Sequence, residues 1–97
     1  MDVSFLKLAE IELDEAIQYY EQEQPGLGMR FKTEVQRSLF RIIEFPTAYQ
    51  ALSNNSRRCL IAKFPYSVIY QYQKSKNRIL VVAVAHLHRK PDYWISR

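Results

Sequence analysis

The sequence contains one cysteine, Cys59, so no disulfide can form within the chain. Lack of disulfides suits a reducing compartment, and we expect a cytoplasmic protein. The longest apolar run, Ile79–Ala85, is far shorter than the roughly 20 residues of a membrane-spanning helix, so we expect no membrane partner. The N-terminus carries Asp2 and then Glu10 and Glu12, which is the wrong charge order for a secretion signal.

Acidic side chains are nearly absent from the C-terminal part of the chain. Residues 57–97 carry nine basic side chains and a single acidic one, Asp92, for a net charge of +8. Residues 1–56 carry five basic and nine acidic side chains, for a net charge of −4. A segment of one charge sign attracts phosphates or an acidic protein. The alternative is a solvated basic surface that serves only solubility.

The 97 residues, 47% of them apolar, predict one domain over residues 1–97. A possible short strand, Val3–Leu8, comes first. Apolar residues then recur at helical spacing in two stretches: Ala9, Leu13, Ala16, Ile17 and Tyr20, and Phe31, Val35, Leu39, Ile42 and Ile43. The Pro25-Gly26-Leu27-Gly28 stretch interrupts the pattern and Pro46 ends it, which predicts an antiparallel helical hairpin.

Beyond a polar loop at residues 47–56, the pattern becomes that of β-strands. Arg58–Phe64 is rich in β-forming residues, with Leu60, Ala62 and Phe64 expected on one face. Ser67–Gln73 alternates, a turn follows at residues 74–77, and Arg78–His86 is apolar on both faces, as in a central strand. We therefore predict an α+β fold of order β-α-α-β-β-β. Its helical hairpin packs on a three- to four-stranded antiparallel sheet whose other face is partly open.

Three kinds of function are compatible with the C-terminal segment: metal binding, phosphodiester cleavage and binding without chemistry. His86 and His88 share a face if the strand continues, but no further cluster of ligands completes a metal site, and we expect no metal and no cofactor. Phosphodiester cleavage needs an acid, a base and cations. The acid and the base could come from His86, His88 and Tyr93. The positive charge that stabilises the reacting phosphate could come from Arg57, Arg58, Lys63 and Arg89.

The third possibility is binding without chemistry, because the basic residues are interleaved with aromatic ones. Several of the aromatics must also pack under the helices, Tyr70 first among them. Trp94 is either a lid on the core or an exposed anchor. The residues best placed for a functional face are Arg57, Arg58, Lys63, His86, His88, Arg89, Lys90 and Trp94.

The chain resembles the RelE/ParE superfamily of toxins from bacterial type II toxin–antitoxin modules, and it is most similar to the ParE-like, plasmid-stabilisation branch. The resemblance extends over nearly the whole chain. It rests on an ordered set of short pieces: Ala9, Leu13, Ala16 and Tyr19-Tyr20; Pro25-Gly26-Leu27-Gly28 and Phe31; Pro46 and Tyr49; Arg57-Arg58; Phe64-Pro65-Tyr66 and Ile69-Tyr70; and Val82-Ala83-Val84-Ala85-His86, Arg89, Pro91, Tyr93-Trp94 and Arg97.

The resemblance implies a toxin that a cognate acidic, partly disordered antitoxin holds inactive, and such an antitoxin would account for the basic segment. ParE-like members are associated with inhibition of DNA gyrase, whereas RelE-like members cut mRNA, mostly on the ribosome. His86, Arg89 and Tyr93 occupy positions where some nucleases of the superfamily carry catalytic groups. The loop before Arg57 has no Lys or Glu, so we assign no catalytic role. We expect a gyrase inhibitor; the alternatives are an mRNA endoribonuclease and a non-toxic relative that only binds antitoxin.

Overall fold

The computed structural model describes residues 1–97 and places two helices on one face of a five-stranded sheet. In chain order the elements are β1 (Asp2–Phe5), α1 (Lys7–Glu23), α2 (Leu27–Glu44), β2 (Gln50–Ala51), β3 (Ser56–Leu60), β4 (Tyr66–Gln73), a 3₁₀ turn (Lys74–Lys76) and β5 (Arg78–His86). The predicted α+β class and the helical hairpin are confirmed. Neither helix combines the length and the apolar character that a membrane span requires.

The hairpin turn depends on Glu21 and on the glycines that follow it. The two carboxylate oxygens of Glu21 accept the backbone N–H groups of Gly26 at 2.9 Å and Gly28 at 3.1 Å, which satisfies donors at the start of α2. A Cβ at Gly28 would lie 2.5 Å from the backbone oxygen of Ile17. Glycine at this position therefore lets α2 approach α1 closely.

The sheet differs from the predicted antiparallel meander in two respects. Its strand order is β1-β5-β4-β3-β2, and β1 pairs with β5 in parallel, so the sheet is mixed. The two-residue strand β2, within the predicted polar loop, pairs with β3 at Arg57 and Arg58. The other neighbours are antiparallel. The interior position predicted for β5 is confirmed, because it lies between β1 and β4.

The predicted strand Arg58–Phe64 is shorter in the structure: β3 ends at Leu60, so Leu60, Ala62 and Phe64 do not share a strand face. Cys59 and Ile61 are buried under the helices, whereas Leu60 is 59% exposed and Ala62 is also exposed. The segment has apolar residues at both odd and even positions, so alternation alone fits either register. The neighbouring strand decides the register, because Cys59 pairs with the buried Val68.

The side chains of β5 enter two cores, and a β-bulge places two consecutive residues in one of them. Ile69 pairs with Ala83 and Tyr70 with Val81, so Val82 is an extra residue on β5. Val81 packs in the core beneath the helices, together with the fully buried Tyr70. Val82 and Ala83 belong to a second core on the opposite face of the sheet.

Candidate functional site

The C-terminal segment from Leu87 to Arg97, here called the tail, folds back over the sheet face opposite the helices. Trp94 is 5% exposed and closes the second core, whose other buried members are Ile69, Val82, Ala83 and Ala85. Trp94 is thus a lid on this core, the first of the two roles considered for it. The sheet face expected to be partly open is covered at this place by the tail.

Glu12, on α1, holds the tail against the rest of the fold. Its Oε1 and Oε2 each accept a hydrogen bond of 2.8 Å from the Arg97 guanidinium, which makes a bidentate ion pair. Its Oε2 also accepts the Tyr93 hydroxyl at 2.6 Å and Arg89 Nη1 at 3.0 Å. Only 10% of each side chain of the Glu12–Arg97 pair is exposed. We refer to Glu12, Arg89, Tyr93 and Arg97 as the tail clamp.

The tail clamp also occupies an unpaired stretch of β5. Because β1 ends at Phe5, β5 has no neighbouring strand on that side from Val82 onward. Glu12 Oε1 accepts the backbone N–H of Val84 at 3.0 Å, and Arg97 Nη1 donates to the backbone oxygen of Val82 at 3.0 Å. Two backbone groups of the open edge are thereby satisfied by side chains instead of a strand.

Charge state in the tail clamp follows from burial and hydrogen bonding. Burial alone would raise the pKa of the Glu12 carboxyl, but hydrogen bonds from Arg97, Tyr93 and Val84 bring that pKa below its ordinary value. Burial, and then the hydrogen bond to Glu12, raises the pKa of Tyr93. The guanidinium carbon of Arg89 lies 3.7 Å from the centre of the Tyr93 ring. At neutral pH the clamp therefore contains a carboxylate, a neutral phenol and two guanidinium groups.

Beside the tail, a cleft of about 150 Å³ gathers several of the predicted binding residues. Arg58 reaches it from β3, His86 stands at the end of β5, and Arg89, Lys90 and Trp94 line it from the tail. Arg58 Nη2 donates to Gln50 Oε1 at 2.7 Å. We call the part lined by Arg58, His86, Arg89, Lys90 and Trp94 the cationic cleft; Asp92 is the one acidic residue that also lines it.

The remaining predicted binding residues lie at or beyond the edge of this cleft. Arg57 Nη1 donates to the backbone oxygens of Thr47 at 3.1 Å and Tyr49 at 2.8 Å, so its guanidinium holds the loop after α2. Lys63, in the turn between β3 and β4, lies 3.7 Å from a carboxylate oxygen of Glu34 on α2. The basic residues that were predicted to form one face therefore lie at separate sites in the structure.

The two histidines contact each other at the start of the tail. Nδ1 of His86 accepts the backbone N–H of His88 at 3.1 Å, and the ring centres are 5.2 Å apart. The His86 ring also lies 5.0 Å from that of Tyr66. Because Nδ1 is the acceptor, neutral His86 carries its proton on Nε2. His88 is exposed and does not line the cationic cleft.

The chemistry that this arrangement can support is limited. No group of three or more His, Cys, Asp or Glu side chains that could hold a metal ion occurs in the structure. Among the catalytic candidates, Arg89 and Tyr93 are bound by Glu12, and the raised pKa of Tyr93 makes it a poor acid for a leaving oxygen. His86 remains beside cations, without an acid–base partner in hydrogen-bond contact.

Glu12 and Arg97 have central roles that the sequence patterns did not indicate. Glu12 lies among other acids on the polar side of α1, and nothing in the helical spacing distinguishes it from Glu10 or Glu15. Arg97 lies 85 residues away from Glu12 along the chain. A contact at that separation leaves no trace in local periodicity.

Comparison with protein families supplies the decisive observation. A family model described as the ParE toxin of type II toxin-antitoxin system, parDE, matches residues 3–91. The chain belongs to the ParE toxin family. The resemblance deduced from the sequence is thereby confirmed, and the clamp and the cleft are features of a ParE-family protein.

Solved structures show the same fold at low sequence identity. One, described as the chromosomal ParDE TA system from P. aeruginosa, is 12% identical, with a TM-score of 0.76 over 91% of this chain and 97% of that chain. Another, the isolated E. coli RelE toxin, is 16% identical, with a TM-score of 0.60 over 98% and 93% respectively. Comparison with curated protein sequences gives no significant match. At these identities, the structural likeness establishes the fold alone.

Proposed function

We propose that this ParE-family protein is the toxin of a type II module, that it inhibits DNA gyrase by binding without chemistry of its own, and that a cognate acidic antitoxin neutralises it. The observation that carries the proposal is the tail clamp. It engages Arg89 and Tyr93, two of the three candidate catalytic side chains, and leaves a cationic cleft without an assembled acid–base pair.

The charge distribution supports binding to an anionic surface. The cationic cleft brings Arg58, Arg89 and Lys90 together with an aromatic side chain, Trp94. Positive charge steers an encounter with an acidic protein or with nucleic acid bound to a protein. A gyrase–DNA complex has both kinds of surface, so we place target contact at this cleft.

Growth arrest in cells provides the first test. Induced expression should stop growth and leave a reporter plasmid relaxed while its mRNA stays intact. Charge reversal at the cleft, Arg58→Glu with Lys90→Glu, should weaken growth arrest and plasmid relaxation by roughly tenfold or more. The reason is that it removes positive charges that steer the encounter and contact the target. Lys74→Glu with Lys76→Glu is the matched control, since these residues lie in the 3₁₀ turn before β5 and do not line the cleft.

Two other outcomes would reject the proposed target, and a third would reject the cationic cleft as the contact site. Cleavage of mRNA on translating ribosomes that disappears in His86→Ala would establish the ribonuclease alternative, in which His86 acts as acid or base. Normal growth at full expression would identify a non-toxic relative that only binds antitoxin. Equal weakening by the cleft pair and the turn pair would show that the cationic cleft has no special role.

A further inference from the structure

A second cleft, of about 420 Å³, lies where the turn between β2 and β3 meets the end of β4. Its volume is within the range of small-molecule binding sites, about 300–1,000 Å³. It shares only Leu52 with the cavity that contains the cationic cleft. We call it the amide cleft, because three of the side chains that line it end in an amide: Asn55, Gln71 and Gln73.

The amide cleft lies beside a part of β4 that has no strand neighbour. On this side β3 begins at Ser56, which pairs with Gln71, so Tyr72 and Gln73 extend beyond it. On their other side the same two residues remain paired with β5. Backbone groups of β4 that face the cleft therefore have no strand to pair with, and they are available to a polar ligand.

A tight turn fixes the position from which Asn55 reaches the cleft. Asn54 and Asn55 have φ of +61° and +57°, and the backbone N–H of Ser56 donates to the oxygen of Ser53 at 3.3 Å. Two consecutive left-handed residues are the mark of a two-residue hairpin turn, and asparagine is favoured there because it tolerates positive φ. The turn thus holds the Asn55 amide at the cleft.

The two glutamines present complementary hydrogen-bonding groups. Gln71 Nε2 donates to the backbone oxygen of Asn54 at 3.4 Å, which leaves Gln71 Oε1 as a free acceptor. Gln73 Oε1 accepts Arg78 Nε at 2.8 Å, which leaves the Gln73 amide nitrogen as a free donor. Since one end of each amide is already bound within the protein, the other end is oriented before any ligand arrives.

One aromatic ring and one cation complete the lining. Tyr72 is half-buried, packs against the core beneath the helices and also lines the cleft, so its ring is held in place. The Arg57 guanidinium is positioned by its two hydrogen bonds to backbone oxygens, and no acidic side chain lines the cleft. Backbone oxygens carry no formal charge, so the positive charge of Arg57 is not neutralised there.

From the oriented amides, the aromatic wall and the single guanidinium, we infer that the amide cleft binds a nucleotide. The edge of the base, which combines donors and acceptors in one plane, pairs with Gln71, Gln73 and Asn55. The base packs against Tyr72, since every base has a face that stacks on an aromatic ring. A phosphate group pairs with Arg57, which a neutral sugar or peptide would leave without a partner. The inference is independent of the proposed gyrase target.

Titrations of the isotopically labelled protein, followed by nuclear magnetic resonance, test the site directly. The probes are the four mononucleotides, a short single-stranded oligonucleotide, ribose and ribose 5-phosphate. Nucleotides should shift the amide side-chain signals of Asn55, Gln71 and Gln73. Ribose 5-phosphate should bind at least about tenfold more weakly, because it lacks the base that these amides contact. Tighter binding of the oligonucleotide at these same signals would identify the ligand as an unpaired base of a strand, and equal affinity a free nucleotide.

Two variants with matched controls test the amides. Gln71→Glu and Asn55→Asp each replace an amide by a carboxylate of nearly the same shape. Gln18→Glu and Asn77→Asp make the same changes at exposed positions outside the cleft, and Asn77, like Asn55, has a positive φ, +49°. Far-ultraviolet circular dichroism would confirm that each variant folds.

The cleft variants should weaken nucleotide binding by roughly tenfold or more and should change the order of affinity among the four bases. The reason is that a carboxylate removes the hydrogen-bond donor of the amide and adds negative charge near the phosphate. The controls should change affinity by less than about threefold and leave the order of bases as it was.

Four results would overturn the inference. They are unshifted signals at the amide cleft with every nucleotide at millimolar concentration, equal binding of ribose 5-phosphate, equal binding of ribose, and equal weakening by the cleft and control variants. The second would show a phosphate site, the third a sugar site and the fourth general electrostatic attraction. Gyrase inhibition is measured separately, so failure of the nucleotide site and failure of the proposed function are distinguishable.

Discussion

Replacing Glu12 with alanine should lower the free energy of unfolding by about 3–5 kcal/mol, the usual effect of removing one partner from a buried ion pair. The substitution leaves the Arg97 guanidinium, itself only 10% exposed, without its carboxylate. It also removes the acceptor for Tyr93 and for the backbone N–H of Val84. Urea unfolding at pH 7 measures the loss through a lower midpoint.

Glu15→Ala is the matched control for this substitution. Glu15 is an exposed glutamate on the same helix, three residues further on, and it makes no ion pair with the tail. Its replacement should change the free energy of unfolding by no more than about 0.5 kcal/mol, as is usual for exposed positions. Trp94 is the only tryptophan, so its emission should shift to the red in Glu12→Ala and not in Glu15→Ala. Equal stability of the two variants would show that the tail clamp contributes nothing.

The same clamp makes stability depend on acidity. The pKa of Glu12 in the folded chain is lowered from its ordinary value of 4.5, so the folded state favours the charged carboxylate. Its contribution is complete above pH 4.5 and is lost as the pH falls through the lower pKa of the folded state. The stability difference between the natural chain and Glu12→Ala should therefore be constant from neutral pH down to about 5 and shrink below it.

Replacing Trp94 with alanine should cost about 3–5 kcal/mol of unfolding free energy, since large-to-small changes of buried aromatics have effects of that size. The side chain is 5% exposed and closes the core that contains Ile69, Val82 and Ala83. The variant should also bind a hydrophobic dye, because the sheet face beneath the tail becomes accessible to water.

Two comparisons make the Trp94 experiment specific. Trp94→Phe keeps most of the buried volume and should lose well under half as much stability. Ile95→Ala changes the next residue, which is 36% exposed and lies outside both cores, and should have a small effect. A loss of less than about 1 kcal/mol in Trp94→Ala would contradict the assignment of this residue as the lid of a core.

The local pattern of apolar residues was sufficient to predict the two helices and the central strand. Each helix has one apolar side, and Ala9, Phe31 and Ile42, taken from the predicted spacing, are fully buried. The doubly apolar strand β5 lies inside the sheet, with a core on each face. These features depend on neighbours within one or two turns, which a sequence pattern records directly.

Features set by distant partners were not predictable in the same way. The parallel pairing of β1 with β5 joins strands that are far apart in the sequence, and the bulge at Val82 has no local signal. The end of β3 at Leu60 was not predicted, because apolar residues continue as far as Phe64. The cationic cleft was foreseen in part, as Arg58, His86, Arg89, Lys90 and Trp94, whereas Arg57, Lys63 and His88 lie elsewhere. Residue type can suggest such a site, but convergence depends on the tertiary fold.

Supercoiling by purified gyrase is the most direct test of the central claim that the protein is a gyrase-binding toxin. Relaxed plasmid, gyrase and ATP should give supercoiled product in the absence of this protein and relaxed product when it is added in excess. The cognate antitoxin, added in equal amount to the toxin, should restore supercoiling, and Arg58→Glu with Lys90→Glu should weaken the inhibition. Undiminished supercoiling at a large excess of the folded protein would contradict the account.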